Sequence, residues 1–117
     1  MTALNHIQTQ CREHGVDAAL NHIAADGKTI KLDALLLCDR LGPGQQIAAQ
    51  AGYPVISIPI GLDDEGLPVG LSLQHTAWEE GTLIKWASAI ESVVRETLGW
   101  RPTPTYHNHL AKNIPIL

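Results

Sequence analysis

The chain has 117 residues, which is enough for one domain and too few for two. Its 44% hydrophobic and 17% charged residues are typical of a globular domain, and no apolar run reaches the ~20 residues of a membrane span. The net charge of −4 and the absence of a Lys/Arg run argue against nucleic acid and against a membrane surface as partners.

The first quarter of the chain predicts two short helices and a turn. Apolar residues recur at helical spacing over residues 4–14, and Gly15 is expected to end that helix. Asp17 is placed to cap a second helix, which runs through Ile23 and buries its apolar side chains. The tripeptide Asp-Gly-Lys at residues 26–28 is a turn signal.

The middle of the chain predicts a strand, a helix and a second strand. Leu32–Cys38 is a short apolar run typical of a strand buried on both faces. A helix over Gln45–Gln50 follows, with Pro43 near its start and Gly52 just past its end. Val55–Ile58 is the second strand. This spacing predicts a βαβ unit, whose two strands run parallel.

A hairpin and a long helix are expected next. Asp63–Gly66 is a turn that leads into a third strand, Pro68–Gln74, antiparallel to the second. Thr76 and Glu79 have the spacing of a capping box for a helix that continues to Leu98 and ends at a glycine.

These elements predict the α/β class. We expect a small mixed three-stranded sheet, ordered first, second, third, in which the βαβ unit and the antiparallel hairpin strand are flanked by helices on both faces. Residues 1–100 form the domain, and residues 101–117 form a C-terminal tail without a clear period. Trp78, Trp86 and Trp100 are expected to anchor the last helix to the sheet, or one of them faces a partner.

The ordered motifs of the central region resemble those of the amidase-signature family. Ala51–Gly61 reads AGYPVISIPIG and Gly66–Leu71 reads GLPVGL, as in that family. Leu32–Cys38 is similar to the family's LDALLLP, with Cys in place of Pro, and His14–Leu20 resembles the preceding helical segment. The amino-acid sequence of Asp39–Gln50 is similar to that of fungal members of the family. The resemblance implies a C-terminal segment of the amidase-signature fold.

The resemblance also implies a missing catalytic region. In the family, a nucleophilic serine, a bridging serine and a base lysine lie upstream, in and near a Gly/Ser-rich stretch that has no counterpart here. Lys28 and Lys31 lie before the first strand, but no serine-rich loop accompanies them. An activated serine needs a base within hydrogen-bond reach and donors for the oxyanion. We therefore expect a truncated amidase-like protein that does not hydrolyse amides on its own.

The candidate site lies at the end of the first strand and before the last helix. The candidate catalytic residues are Asp39, Arg40 and His75. The candidate substrate-binding residues are Cys38, Gln45, Gln46 and Trp78. Open α/β sheets bind ligands at the carboxyl ends of strands, and the resemblance places residues 39–46 along a substrate channel. Alternatively, Asp39 and Arg40 form a surface ion pair, and His75 packs at the start of the helix.

Other histidines and the cysteines carry weaker signals. His107 and His109 are two residues apart without a nearby Cys, Asp or Glu, which fits solvated side chains better than a metal pair. No metal or cofactor is expected. Cys11 and Cys38 are too few for a disulfide framework, and Cys38 is expected to be small and buried. The N-terminus lacks the pattern of a secretory signal, so a cytoplasmic location is expected.

Three functions remain open. The first is a noncatalytic pseudoenzyme that binds a small metabolite or another protein. The second is a repurposed cyclase, isomerase or lyase of fungal secondary metabolism. The third is one half of a split amidase, completed by a partner chain with the serine and lysine. A segment cut from a larger sheet exposes apolar surface, so we also expect a homodimer or higher homo-oligomer.

Overall fold

The computed structural model describes residues 2–38 and 44–99, and its N-terminal part is a continuous helical run followed by a hairpin. Helix α1 spans Ala3–Thr9, a π-helix spans Gln10–Val16, and α2 spans Asp17–Leu20. Strands β1 (Asn21–Ile23) and β2 (Thr29–Lys31) then pair antiparallel across the predicted Asp-Gly-Lys turn, where Gly27 has a φ of 80°. The turn is confirmed.

The remaining elements build one sheet and two helices. The strands are β3 (Leu35–Cys38), β4 (Val55–Leu62) and β5 (Pro68–Gln74). Helix α3 (Gly44–Ala51) precedes β4, and helix α4 (Glu80–Leu98) follows β5. The sheet order is β3–β5–β4, with β5 antiparallel to both neighbours. The α/β class with flanking helices is confirmed.

The predicted order of the three strands is wrong. The third strand in sequence, β5, lies between the other two, so β3 and β4 run in the same direction without touching. A tight turn joins β4 to β5, and β3 takes the other edge of β5. Because a central strand has neighbours on both sides, β5 contains the consecutive buried residues Ser72–Gln74, whereas β3 alternates between half-buried and exposed.

The predicted break at Gly15 is also wrong. Gly15 lies inside the π-helix, where a Cβ atom would stand 3.1 Å from Cγ2 of Ile47 on α3. The glycine therefore allows two helices to approach closely, and this packing outweighs its weak helix propensity of about 1 kcal/mol. Asp17 consequently lies within the helical run and does not cap a new helix. The run ends at Leu20, and Ile23 is an exposed strand residue.

A small hydrophobic cluster stabilises the fold. It joins the sheet to α4 through Ile58, Leu73, Leu83 and Ala87, with Ala34, Ile56 and Ile90 packed around them. Buried apolar residues also lie where the π-helix packs on α3 and in α2: Val16, Leu20, Ala48 and Ala51. On the sheet face opposite α4, the Gln74 side-chain amide donates to the Gly44 carbonyl at 2.8 Å, which fixes the start of α3 over the sheet.

The local signals around α4 are mostly confirmed. Asp63 organises the hairpin turn, since its Oδ1 accepts from the backbone N–H groups of Glu65 (3.0 Å) and Leu67 (2.9 Å). Helix α4 ends at Gly99, which is left-handed as expected. The capping box is wrong, because Glu79 is the N-cap and its carboxylate accepts from the Thr82 hydroxyl. No helix within residues 2–38 and 44–99 has the length and apolar character of a membrane span.

Candidate functional site

A polar cluster around Tyr53 joins the helical run to the sheet. The Tyr53 hydroxyl donates to Oδ2 of Asp17 at 2.8 Å. The Arg12 guanidinium lies 5.7 Å from the centre of the Tyr53 ring, and Arg12 Nε donates to the Ala51 carbonyl at 2.6 Å. Two charged side chains of the helical run therefore hold the loop between α3 and β4, and with it the Tyr53 ring, in a fixed position.

The surroundings of Tyr53 favour its protonated form. Burial raises the pKa of the phenol above its ordinary value of 10.0, and the hydrogen bond to Asp17 and the negative charge of that carboxylate raise it further. A hydrogen bond with Thr76 and the charge of Arg12 act in the opposite direction, but the net shift is upward. Tyr53 is therefore a hydrogen-bond donor at neutral pH, and it does not act as a base.

His75 is buried directly after β5, with 3% of its surface exposed. Its Nδ1 accepts from the backbone N–H of Thr76 at 2.8 Å, and its own backbone N–H donates to the Pro54 carbonyl at 3.5 Å. The lone pair of Nδ1 is therefore occupied by a backbone N–H. This arrangement favours the packing interpretation of His75 over an acid–base role.

The candidate residues do not form one described cluster. Cys38 pairs with Leu71, four residues before His75, which separates the two by roughly 13 Å along β5. Cys38 is exposed, so the expectation that it is buried is wrong; it lies at the end of β3, whose outer edge pairs with no strand within the described part of the chain. Asp39 and Arg40 lie outside the described residues.

The three remaining candidates lie on different elements. Gln45 and Gln46 belong to the first turn of α3, where Gln46 is exposed. Trp78, in the loop before α4, has 91% of its surface exposed. The expectation that Trp78 anchors α4 to the sheet is therefore wrong, whereas Trp86 is partly covered beside Leu36 and Leu73. Trp100 lies outside the described residues.

A cavity of about 250 Å³ lies beside Trp78 and the fixed Tyr53 ring. Its lining residues are Gly52, Tyr53, Pro54, Ala77, Trp78 and Glu80. The backbone of Trp78 has a φ of 68°, which lies in the left-handed region that bulky residues rarely occupy.

Sequence reasoning found Trp78 but missed Arg12, Asp17, Tyr53 and Glu80. Tyr53 stands in the AGYP motif, which draws attention to it. Its partners come from the helical run, 36 and more positions earlier in the chain. A pattern of neighbouring residues in the sequence cannot predict a contact between residues so far apart in the chain.

Metal binding finds no support in the described residues. Within residues 2–38 and 44–99, no group of three His, Cys, Asp or Glu side chains has the arrangement of a metal site. His107 and His109 lie outside these ranges.

Comparison with known proteins connects the chain to amide-cleaving enzymes. No protein-family model matches it. A Schizosaccharomyces pombe protein named as an amidase is 37% identical over 117 residues, covering 97% of this chain and 19% of its own length. A fatty acid amide hydrolase of Medicago truncatula is 40% identical over 62 residues, covering 53% of this chain and 10% of its own length.

Two further matches agree with these. A glutamyl-tRNA(Gln) amidotransferase component of Ruegeria pomeroyi is 54% identical over 41 residues, covering 35% of this chain and 8% of its own length. The crystal structure of PAM12A superposes with a TM-score of 0.65 at 36% identity, covering 80% of this chain and 20% of that one. The chain thus spans a fifth or less of the length of these proteins.

Proposed function

We propose that this chain, which corresponds to a C-terminal segment of amidase-signature proteins, binds a small molecule and does not hydrolyse amides on its own. The single observation that supports the proposal most directly is the setting of its serines and lysines. Amide hydrolysis by a serine needs a base that takes the hydroxyl proton.

The serines of the sheet face another hydroxyl. Ser57 on β4 and Ser72 on β5 are directly opposite each other, with 3.5 Å between their Oγ atoms. The hydroxyl opposite Ser57 is too weak a base to activate it. This pair has the geometry of a cross-strand contact that contributes to sheet stability.

The lysines of the described residues are engaged elsewhere or exposed. Lys28 forms an exposed ion pair with Asp26 at 3.2 Å, and Lys31 is exposed on β2. The Lys85 amine lies 5.3 Å from the centre of the Trp86 ring on α4. These contacts do not place a lysine against a serine, which supports a segment that does not hydrolyse amides on its own.

Binding is favoured over a repurposed cyclase, isomerase or lyase by the geometry of His75. Of the proposed catalytic group Asp39, Arg40 and His75, only His75 lies among the described residues, and its neighbourhood gives it contacts with the backbone. The buried imidazole of His75 also has one nitrogen occupied by a backbone N–H. The cavity beside Trp78 is lined by described residues.

Docking to another protein is the second candidate function, and the exposed apolar side chains favour it. Those exposed by more than half are Leu4, Ile23, Leu36, Leu67, Trp78, Ile84 and Val93. Exposed apolar surface of this kind is typical of protein contacts. The protein that covers these exposed side chains is either a second copy of this chain, which gives the expected homo-oligomer, or a different chain that carries the serine and lysine.

Three measurements on the purified 117-residue chain test the absence of hydrolysis and the homo-oligomer. We expect no hydrolysis of a simple anilide and no labelling by a fluorophosphonate. Serine-dependent turnover, lost on replacing one of the four serines, would overturn the proposal. Light scattering over a wide concentration range tests the homo-oligomer separately, and a monomer throughout contradicts it.

A further inference from the structure

The described part of the chain contains three aromatic side chains in two kinds of setting. Tyr53 and Trp86 each have a cation of the protein against the ring, Arg12 at 5.7 Å and Lys85 at 5.3 Å from the ring centre. Trp78 has no such neighbour within residues 2–38 and 44–99. Its indole is at the same time the most exposed of the large apolar side chains, at 91%. A cation over an indole face is favourable because the ring carries negative charge density on that face.

An unpaired carboxylate lies next to this ring. Glu80 lines the same cavity as Trp78 and forms no hydrogen bond or ion pair with any described residue. Glu79 adds a second negative charge, although its Oε2 already accepts from Thr82 at 2.8 Å. Arg12 lies close to the cavity wall, since a Cβ atom on Gly52 would stand 3.4 Å from its Nη2, and its guanidinium faces the Tyr53 ring whose hydroxyl donates to Asp17. Among these four side chains, the negative charges of Glu79, Glu80 and Asp17 outnumber the one positive charge of Arg12.

The rest of the cavity wall is small and apolar. Gly52, Pro54 and Ala77 contribute no charged group, and the volume of about 250 Å³ suits a compact ligand. The Tyr53 ring is held by its contacts with Asp17 and Arg12, so this wall is already formed. The left-handed backbone of Trp78, with a φ of 68°, adds a strained residue of the kind that collects at ligand sites.

We propose that Trp78, Glu80 and the Tyr53–Pro54 wall bind a small organic cation of the alkylammonium class. The indole face takes the charged methyl or methylene groups, Glu80 supplies the counter-charge, and the apolar wall covers the remaining surface. This inference rests on the proposed binding function and names its ligand class. It assigns Trp78 the role of an aromatic platform.

Choline and its neutral analogue 3,3-dimethylbutan-1-ol provide a matched pair of probes. Each is titrated into the full 117-residue chain while the indole N–H signals are followed by NMR, with sodium chloride as the control for ionic strength. A signal lost in Trp78→Phe is assigned to Trp78. We expect choline to shift this signal saturably and the neutral alcohol to shift it far less.

Single substitutions measure the contribution of the Glu80 charge and of the Trp78 ring to choline binding separately. Glu80→Gln should weaken choline binding by about two- to fivefold, the size expected for one exposed charge contact. Trp78→Ala should abolish saturable binding. Glu96→Gln removes the same charge at the other end of α4 and should leave the affinity unchanged.

Three results would overturn the assignment: no saturable shift with choline, an equal response to the neutral alcohol, or equal weakening by Glu80→Gln and Glu96→Gln. The second would indicate an apolar site, and the third a general effect of net charge. None of these results bears on amide hydrolysis, so the hydrolysis assay tests the proposed function independently.

Discussion

The phenolic oxygen of Tyr53 lies 2.8 Å from Oδ2 of Asp17, although the two residues are 36 positions apart in the chain. This hydrogen bond ties the helical run to the loop that enters β4. The Tyr53 ring also walls the cavity beside Trp78. The contact thus links the stability of the fold to the shape of the proposed site.

Removing the Tyr53 hydroxyl should destabilise the protein. A hydrogen bond to a charged, partly buried acceptor contributes about 1–2 kcal/mol, so Tyr53→Phe should lower the free energy of unfolding by that amount. Urea denaturation measures this change. Asp17→Asn, combined with Tyr53→Phe in a double-mutant cycle, should show that the two effects are not additive.

The exposed ion pair of Lys28 with Asp26 provides the control. Lys28→Ala should leave the unfolding midpoint almost unchanged, because such pairs contribute little in water. Equal effects of Tyr53→Phe and Lys28→Ala would contradict a structural role for the Tyr53 hydroxyl.

Ionisation of Tyr53 should make the fold sensitive to alkali. Its folded-state pKa is raised, mainly by burial, so the folded protein holds the phenolic proton more tightly than the unfolded chain does. This contribution to stability is fully present below about pH 10, the pKa of the unfolded residue. It is lost as the pH rises through the higher folded value.

The alkaline limb of a stability–pH profile tests this prediction. Above about pH 10 the wild type should lose stability more steeply than Tyr53→Phe, which has no proton to lose at this position. Tyr106 is present in both proteins and cancels in the comparison. Parallel profiles would show that Tyr53 titrates as in the unfolded chain.

Two adjacent residues of α4 should respond very differently to truncation. Leu83 is 2% exposed and belongs to the cluster between α4 and the sheet, so Leu83→Ala should cost about 2–5 kcal/mol. Ile84 is 57% exposed, and Ile84→Ala should change stability by no more than about 0.5 kcal/mol. Thermal or urea unfolding of both variants measures the difference. A similar loss in both would mean that α4 packs through another face.

Replacing a glycine by alanine should change the stability in opposite directions at two positions with different backbone conformations. Gly52 has a φ of 70°, and its Cβ would lie 3.4 Å from Nη2 of Arg12, so Gly52→Ala should destabilise by about 1–2 kcal/mol. Gly81 lies within α4 with open space around it, and Gly81→Ala should stabilise by about 0.5–1 kcal/mol. The unfolding midpoints of the two variants test this, and a shift of the same sign in both would contradict it.

Local signals in the sequence determined several parts of this fold. The Asp-Gly-Lys turn, the hairpin at Asp63–Gly66, the strand Pro68–Gln74 and the helix that ends at Gly99 were all predicted. Each depends on residues a few positions apart: a periodicity of apolar side chains, a turn carboxylate, or a glycine with positive φ. The ordered motifs likewise pointed to the amidase-signature family.

Only the tertiary structure decided how these pieces meet. The position of β5 between β3 and β4, the close approach of Ile47 to Gly15 inside the helical run, and the contact of Tyr53 with Asp17 join distant parts of the chain. Which surfaces pair depends on the total burial and hydrogen bonding of the assembled elements, which no short window of sequence contains. For the same reason the sequence singled out Trp78, whereas the cavity beside it became visible only once the distant residues were assembled.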